Sequence, residues 1–416
     1  MKRIIMLSLV CSNFLYASSE VDELKQQLQD QNKVIQSLMK RLDNLEKTKF
    51  IPQEKIIKVQ SEPNSIEIKN STNNASFSQK EYLPDIALIV NSSAVSRNID
   101  NDIYSSYETP GFIDGDPNKE IPFNPDRGFN LNYAEVAMSS AVDPYFDAFA
   151  IFHMRSNEFE IDEAYVSTRN LDYGLKIKAG KFKSAFGRYN EKHQHAWEFS
   201  EQALVYAAMF GPEGLSDAGI QVQWVAPTDT YIMLGAEAMQ GTNEQSFGDN
   251  KANNLYNTYA KLSVDITDDT SILGGVSYIH GKNPEGNTDI YAGDLTMQTQ
   301  LSSYSSLTWQ SEYIYRNKEQ DIKTGRQDGL YSQLVYKYDQ NYALGFRYDI
   351  LMKNNLGDSN LDMYTGMIEY KPFEFSRLRL EYSLDKSKYY NGQQKDVQQL
   401  MLELNVAVGA HGAHSY

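Results

Sequence analysis

The sequence predicts an all-β protein: a 16-stranded antiparallel transmembrane β-barrel, closed on itself, with an N-terminal α-helical coiled coil ahead of it. Three observations carry that expectation. From Leu83 onward hydropathy alternates with period two. The alternating stretches run about 10–14 residues, longer than the strands of soluble sheets and matched to tilted membrane-spanning ones. Tight turns and longer polar loops alternate between them, and an unbroken heptad pattern precedes them all.

Residues 1–17 read as a secretory signal. Lys2 and Arg3 form its positive end, Ile4 to Val10 its apolar run, and Leu15-Tyr-Ala17 its cleavage site. Cys11, the one cysteine, lies inside it, so cleavage at Ala17 leaves no thiol for a disulfide, a nucleophile or a metal. Residues 18–49 form the coiled coil. Val21, Leu28, Ile35 and Leu42 occupy one seam position, and Leu24, Gln31, Leu38 and Leu45 the other. Such a helix, about 45 Å long, buries its seam against copies of itself and predicts an oligomer whose register Gln31 sets. Residues 50–82 are polar, rich in Ser and Asn, and read as a flexible linker.

The barrel occupies 83–416. Its strands are expected near 84–97, 128–141, 144–156, 158–170, 172–183, 217–226, 230–242, 253–266, 269–281, 288–301, 304–317, 327–339, 341–354, 361–372, 376–389 and 396–409. Leu378, Leu380, Tyr382 and Leu384 alternating with Arg377, Arg379, Glu381 and Ser383 make the clearest case. Turns such as Val142-Asp-Pro144, Pro227-Thr-Asp229 and Thr267-Asp-Asp269 are tight, whereas 98–127 and 184–216 are the longest connections. A closed sheet satisfies every backbone donor in lipid, and sixteen strands enclose an aqueous channel. The 29 Tyr and 18 Phe suit aromatic girdles, and Tyr416 continues the phase of Leu404, Val406 and Val408. Inside 184–216 a short helix is expected over 200–210, stopped by Gly211-Pro212.

At Glu163-Ala-Tyr-Val166, and in the run Ala179-Gly-Lys-Phe182 followed by Phe186-Gly187, the chain resembles porins of the phosphate-selective porin O/P superfamily. Signal, heptads, linker and barrel in that order are similar to the coiled-coil-bearing trimeric, DcaP-like members. The resemblance implies a homotrimer in the outer membrane of a Gram-negative cell, in contact with lipid and lipopolysaccharide, with its coiled coil in the periplasm. It also implies a passive diffusion channel for small hydrophilic solutes, anions among them, and an inward third loop, here 184–216, acting as the gate. A weaker resemblance, through Asn190, His193 and His195 and the ending around His411 and His414, is to outer-membrane proteins named for zinc regulation. Two alternatives stand beside the diffusion porin: a structural barrel anchoring the envelope through its coiled coil, and a zinc-linked uptake porin.

The charges expected to line or constrict the channel are Lys176, Lys178, Arg188, Glu191, Glu237, Glu312, Arg316, Arg347, Asp349, Arg377, Arg379 and Glu381. Their mixed signs set a transverse field that favours polar solutes, with Arg377 and Arg379 the best anion-contacting pair. His193 and His195 sit at i and i+2, so on an extended segment both imidazoles face one zinc ion, with Glu191 or Glu198 as a third ligand. Phe186, Trp197, Phe199 and Phe210 pin the loop to the wall. Without Lys2 and Arg3 the 39 basic residues become 37 against 55 acidic ones, a formal charge of −18 that argues against nucleic acid as a partner. No Gly-x-Ser-x-Gly, phosphate loop or His-Glu-x-x-His motif is present, so neither an enzyme nor a cofactor is expected.

Overall fold

The structure, a computed structural model, describes residues 84–113, 126–155, 158–248, 254–319, 324–357 and 359–409. The signal, coiled coil and linker expected over 1–82, and the terminal His411, His414 and Tyr416, lie outside the described residues. Sixteen strands follow one another: β1 Asp85–Arg97, β2 Gly128–Ala141, β3 Phe146–Arg155, β4 Glu158–Thr168, β5 Leu175–Lys183, β6 Ser216–Val225, β7 Tyr231–Met239, β8 Leu255–Thr267, β9 Thr270–Asn283, β10 Gly286–Gln300, β11 Ser306–Lys318, β12 Gly325–Lys337, β13 Tyr342–Leu351, β14 Leu361–Phe373, β15 Ser376–Tyr390 and β16 Gln393–Gly409. Three short helices lie in the connections: α1 Asn101–Ser105, α2 Leu204–Phe210 and α3 Glu244–Phe247.

Every strand pairs antiparallel with its sequence neighbours, and β1 closes on β16 with Val90 opposite Val406 and Arg97 opposite Gln399. The all-β, 16-stranded expectation therefore holds strand for strand. Besides the short link before Glu158 that the sequence shows, the loop-end links Pro284-Glu285 and Asn391-Gly392 are also only two residues long, so short and long links alternate less regularly than expected.

Burial is inverted relative to a soluble sheet. On β15 the outward Leu378, Leu380 and Tyr382 are 36–49% exposed, whereas the alternate Arg379 and Glu381 are 1–2% exposed. The same contrast runs round the ring, with Tyr145, Tyr173, Tyr304, Tyr338 and Phe373 exposed near the short turns as an aromatic girdle. Period-two chemistry thus sends grease outward, where lipid replaces water, and charge inward.

The interior departs from the expected aqueous channel. The connection from β5 to β6 turns into the barrel and brings its own apolar core. All seven residues of α2 are buried, and Phe182, Phe186, Tyr206, Met209 and Phe210 pack with Ile279, Ile290, Ile314, Tyr331 and Leu351 from the wall. The cause is composition, because this segment is apolar where an ordinary surface loop is polar, and each large side chain removed from water contributes about 1.5–3 kcal/mol. Phe112 and Ile113 of the β1–β2 connection and Phe247 of α3 join the same cluster.

Candidate functional site

The inward segment, residues 184–215, is built from its neck upward. Asn190 Nδ2 donates to the carbonyls of Ser184 and Leu215, 2.8 Å each, and Asn190 Oδ1 accepts from the Leu215 amide at 2.8 Å. One side chain thereby closes the neck. Gly187 turns the chain at φ 61°, where a Cβ would collide with Glu312 Oε1, so the position requires glycine. Gly211, at φ 76°, ends α2 where the Gly-Pro stop predicts, although the helix begins at Leu204 rather than near residue 200.

A backbone that leaves regular structure inside a barrel must find partners for its N–H and C=O groups. The inner wall supplies them. Glu237 on β7 accepts from Ser184 Oγ and, at 2.8 Å, from the Ala185 amide. Glu312 on β11 accepts from Tyr206 Oη at 2.7 Å and Tyr331 Oη at 3.1 Å. On β13 Asp349 accepts from the Leu204 amide at 2.9 Å, while Arg347 bonds Asp349 at 2.8 Å and donates to the carbonyls of Glu201 and Gln202 at 2.8 and 3.2 Å. On β15 Glu381 accepts from the Ser200 amide at 2.9 Å, and Arg379 donates to the Trp197 carbonyl at 2.9 Å. Arg316 on β11 donates to the Met209 carbonyl at 2.9 Å, a cation at the end of α2 where the helix dipole is negative.

Seven of the charges expected to line the channel, Glu237, Glu312, Arg316, Arg347, Asp349, Arg379 and Glu381, are therefore taken up in holding the segment. Each is at most 3% exposed. Arg377, expected to work with Arg379 on an anion, pairs with Glu403 at 2.9 Å, and Arg379 pairs with Glu369 at 2.9 Å. The aromatic side chains do pin the loop: Phe199 packs on Val335, Ala343 and Met367, with Arg347 4.9 Å above its ring.

The remaining charges lie on the uncovered wall near the turns and on the inward segment itself. Lys176, the second residue of β5, is exposed, and Lys178 is half-buried over the Tyr165 ring. Lys337, the last residue of β12, is exposed. Arg188 and Lys192 of the inward segment are half-buried. Burial holds the Lys192 ammonium below its usual range even against the pull of Glu198, with the charges of Arg188 and Lys337 pushing the same way. Glu191 pairs with Lys261 at 2.9 Å and Glu198 faces Lys192 at 3.8 Å. Neither acid stands beside the histidines as the sequence suggested.

The histidines meet other acids. His193 presents Nε2 to Glu163 at 2.8 Å and Nδ1 to Asp162 at 3.0 Å, and His195 Nδ1 lies 3.1 Å from Glu135. His153 on β3 reaches the same Glu135 oxygen at 3.0 Å. Burial alone would lower the His193 pKa, but the hydrogen bonds from Asp162 and Glu163 raise it to about 10. Asp162 and Glu163 are consecutive yet both face inward, because a bulge in the β3–β4 pairing sets Ile151 against Glu163 and Phe152 against Ile161. Sequence reasoning missed Glu135, His153 and Asp162. The signal for the bulge was present: the outward apolar phase of Phe159 and Ile161 resumes at Ala164 and Val166, one residue out of step.

No family model matches the chain. An uncharacterized protein of Aquifex aeolicus is 38% identical over 383 residues, covering 82% of this chain and 81% of the relative. Among solved structures, the outer-membrane channel DcaP of Acinetobacter baumannii is similar over 80% of this chain and 99% of its own, with a TM-score of 0.54 at 13% identity. An anion-selective porin from Comamonas acidovorans matches 79% of this chain and all of its own, with a TM-score of 0.54 at 11% identity. OprB of Pseudomonas putida matches 79% of this chain and 95% of its own, with a TM-score of 0.53 at 10% identity. These likenesses establish the porin fold, and the identity shared with the Aquifex aeolicus protein establishes that the chain belongs to that protein's family.

Proposed function

We propose that the protein is an outer-membrane porin, a trimeric passive channel for small hydrophilic solutes whose inward segment closes the loop end at rest. The observation that carries this reading is the inverted burial of the ring, with exposed Leu and Tyr outside and Arg and Glu inside. The short turns face the periplasm, where the coiled coil of residues 18–49 would hold three copies together. A preference for anions is supported by Lys176, Lys178, Arg188, Lys192 and Lys337, five cations against the acids Asp147, Glu191, Glu198 and Asp294 near them. Uneven fixed charge in a narrow water-filled vestibule biases the ions that enter it.

Planar-bilayer recording of the full mature chain in a salt gradient tests the reading. Openings in multiples of three, with a zero-current potential on the anion side, are expected. Changing Lys176 and Lys337 together to Glu should move that potential toward the cation side. A cation-side potential in the unchanged protein would remove the anion preference, and silence at every voltage would remove the channel.

A further inference from the structure

The groups around His153 bring three buried carboxylates and three imidazoles together beside one ammonium. Glu135, Asp162 and Glu163 are each at most 6% exposed, and Lys183 is the ammonium beside them, 3.2 Å from Asp162. Glu213, next to the cluster, is matched by Arg155 at 2.9 Å. Three buried carboxylates share one ammonium, and buried charge of that kind is costly unless compensated. A divalent cation in place of the imidazole protons supplies that compensation.

The positions of the ligand atoms fit such an ion. One atom each from Glu135, His153 and His193 lie within 4.8 Å of one another, all on buried residues. Glu135 directs one oxygen at two imidazoles, and its other oxygen is buried with no hydrogen-bond partner. His153 also lies 3.8 Å from Asp162, so a fourth donor is at hand. Two imidazoles with carboxylates are a borderline donor set, suited to zinc and its neighbours in the first transition row, not to calcium or magnesium, which favour all-oxygen cages.

The geometry points to a divalent transition-metal site, of the zinc type, formed by Glu135 of β2, His153 of β3 and His193 of the inward segment, with Asp162 completing it. His195 and Glu163 orient the ligands from outside, as hydrogen-bonded neighbours of metal ligands do. The ligands come from three wall strands and from the segment, so the ion fastens the segment to the wall. The inference is independent of whether the barrel conducts.

The test uses the full mature chain, folded in detergent, with His411 and His414 changed to Ala so that the C-terminal histidines do not contribute. The protein is stripped with chelator, incubated with Zn²⁺ and dialysed, and its metal is counted by atomic emission. One zinc per chain is expected, and Co²⁺ in its place should give the intense visible bands of a four-coordinate site. His153→Ala and Glu135→Gln should each weaken zinc binding at least tenfold, while His280→Ala, which alters a histidine paired with Asp289 on the β9–β10 hairpin, should leave it unchanged. Circular dichroism and the heat-dependent gel shift of a folded barrel establish that the variants fold. Should a variant fail to fold, the stoichiometry and cobalt spectrum of the unaltered cluster decide. Zinc absent from that protein, or retained equally by folded His153→Ala and Glu135→Gln, overturns the site and leaves the cluster neutralised by protons on its imidazoles.

Discussion

The wall beneath the inward segment and the wall left open to water use the same residue types for opposite purposes. Where the wall faces the inward segment, Arg347, Arg379, Glu312 and Glu381 are almost wholly buried and bond to the backbone and hydroxyls of that segment. At the turn end, Lys176 and Lys337 meet water. An inward-facing charge on a barrel strand is thus no evidence, by itself, of contact with solute. What decides is whether an irregular backbone lies close enough to need it.

The comparison breaks most readily at Arg347. Changing it to Ala leaves the Asp349 carboxylate buried and unpaired and removes the donors to Glu201 and Gln202. A loss of about 3–5 kcal/mol is expected. Thermal unfolding measured by the gel shift checks it. A smaller effect follows from Tyr206→Phe, which removes one donor to buried Glu312 and should cost about 1–3 kcal/mol. Proteolysis within 184–215 should become faster while the barrel strands stay protected, and an unchanged cleavage rate would mean that this bond holds nothing.

Acidity sharpens the contrast further. Burial, with the charges of Glu381 and Asp385, raises the Glu201 carboxyl to about 7. The folded chain then holds this proton more tightly than the unfolded chain, so its stabilising contribution is complete below pH 4.5 and fades as pH rises toward 7. The segment should loosen over that rise, and Glu201→Gln should flatten the dependence of its proteolysis on pH. Least of all is expected from Lys176→Glu, which should change stability by no more than about 0.5 kcal/mol because an exposed charge supports nothing. A larger loss would show that the open part of the wall is as fully engaged as the part beneath the segment.

Much of the fold was legible because period two is written in every strand and the turns are marked by Asp, Asn and Pro. Pro227-Thr-Asp229 and Thr267-Asp-Asp269 place strand ends to within a few residues of Val225, Tyr231, Thr267 and Thr270. The inward segment was also visible, through Gly211-Pro212 and an apolar run no surface loop would carry. The use of the wall charges was not visible, since Arg347 looks the same in sequence whether it faces water or the carbonyl of Glu201. The histidine cluster was hidden for a different reason. It joins His193 and His195 to residues 30 to 60 positions away, through a bulge that shows only as a one-residue slip between Ile161 and Ala164.

The account rests on the inward segment being what closes the lumen, with the wall charges as its clamps. Replacing residues 189–213 with a short Gly/Ser linker and recording single channels tests this directly. The unaltered protein should give small, brief openings, and the shortened one steady steps many times larger. A shortened protein that folds as a barrel yet conducts no more than the original would contradict it.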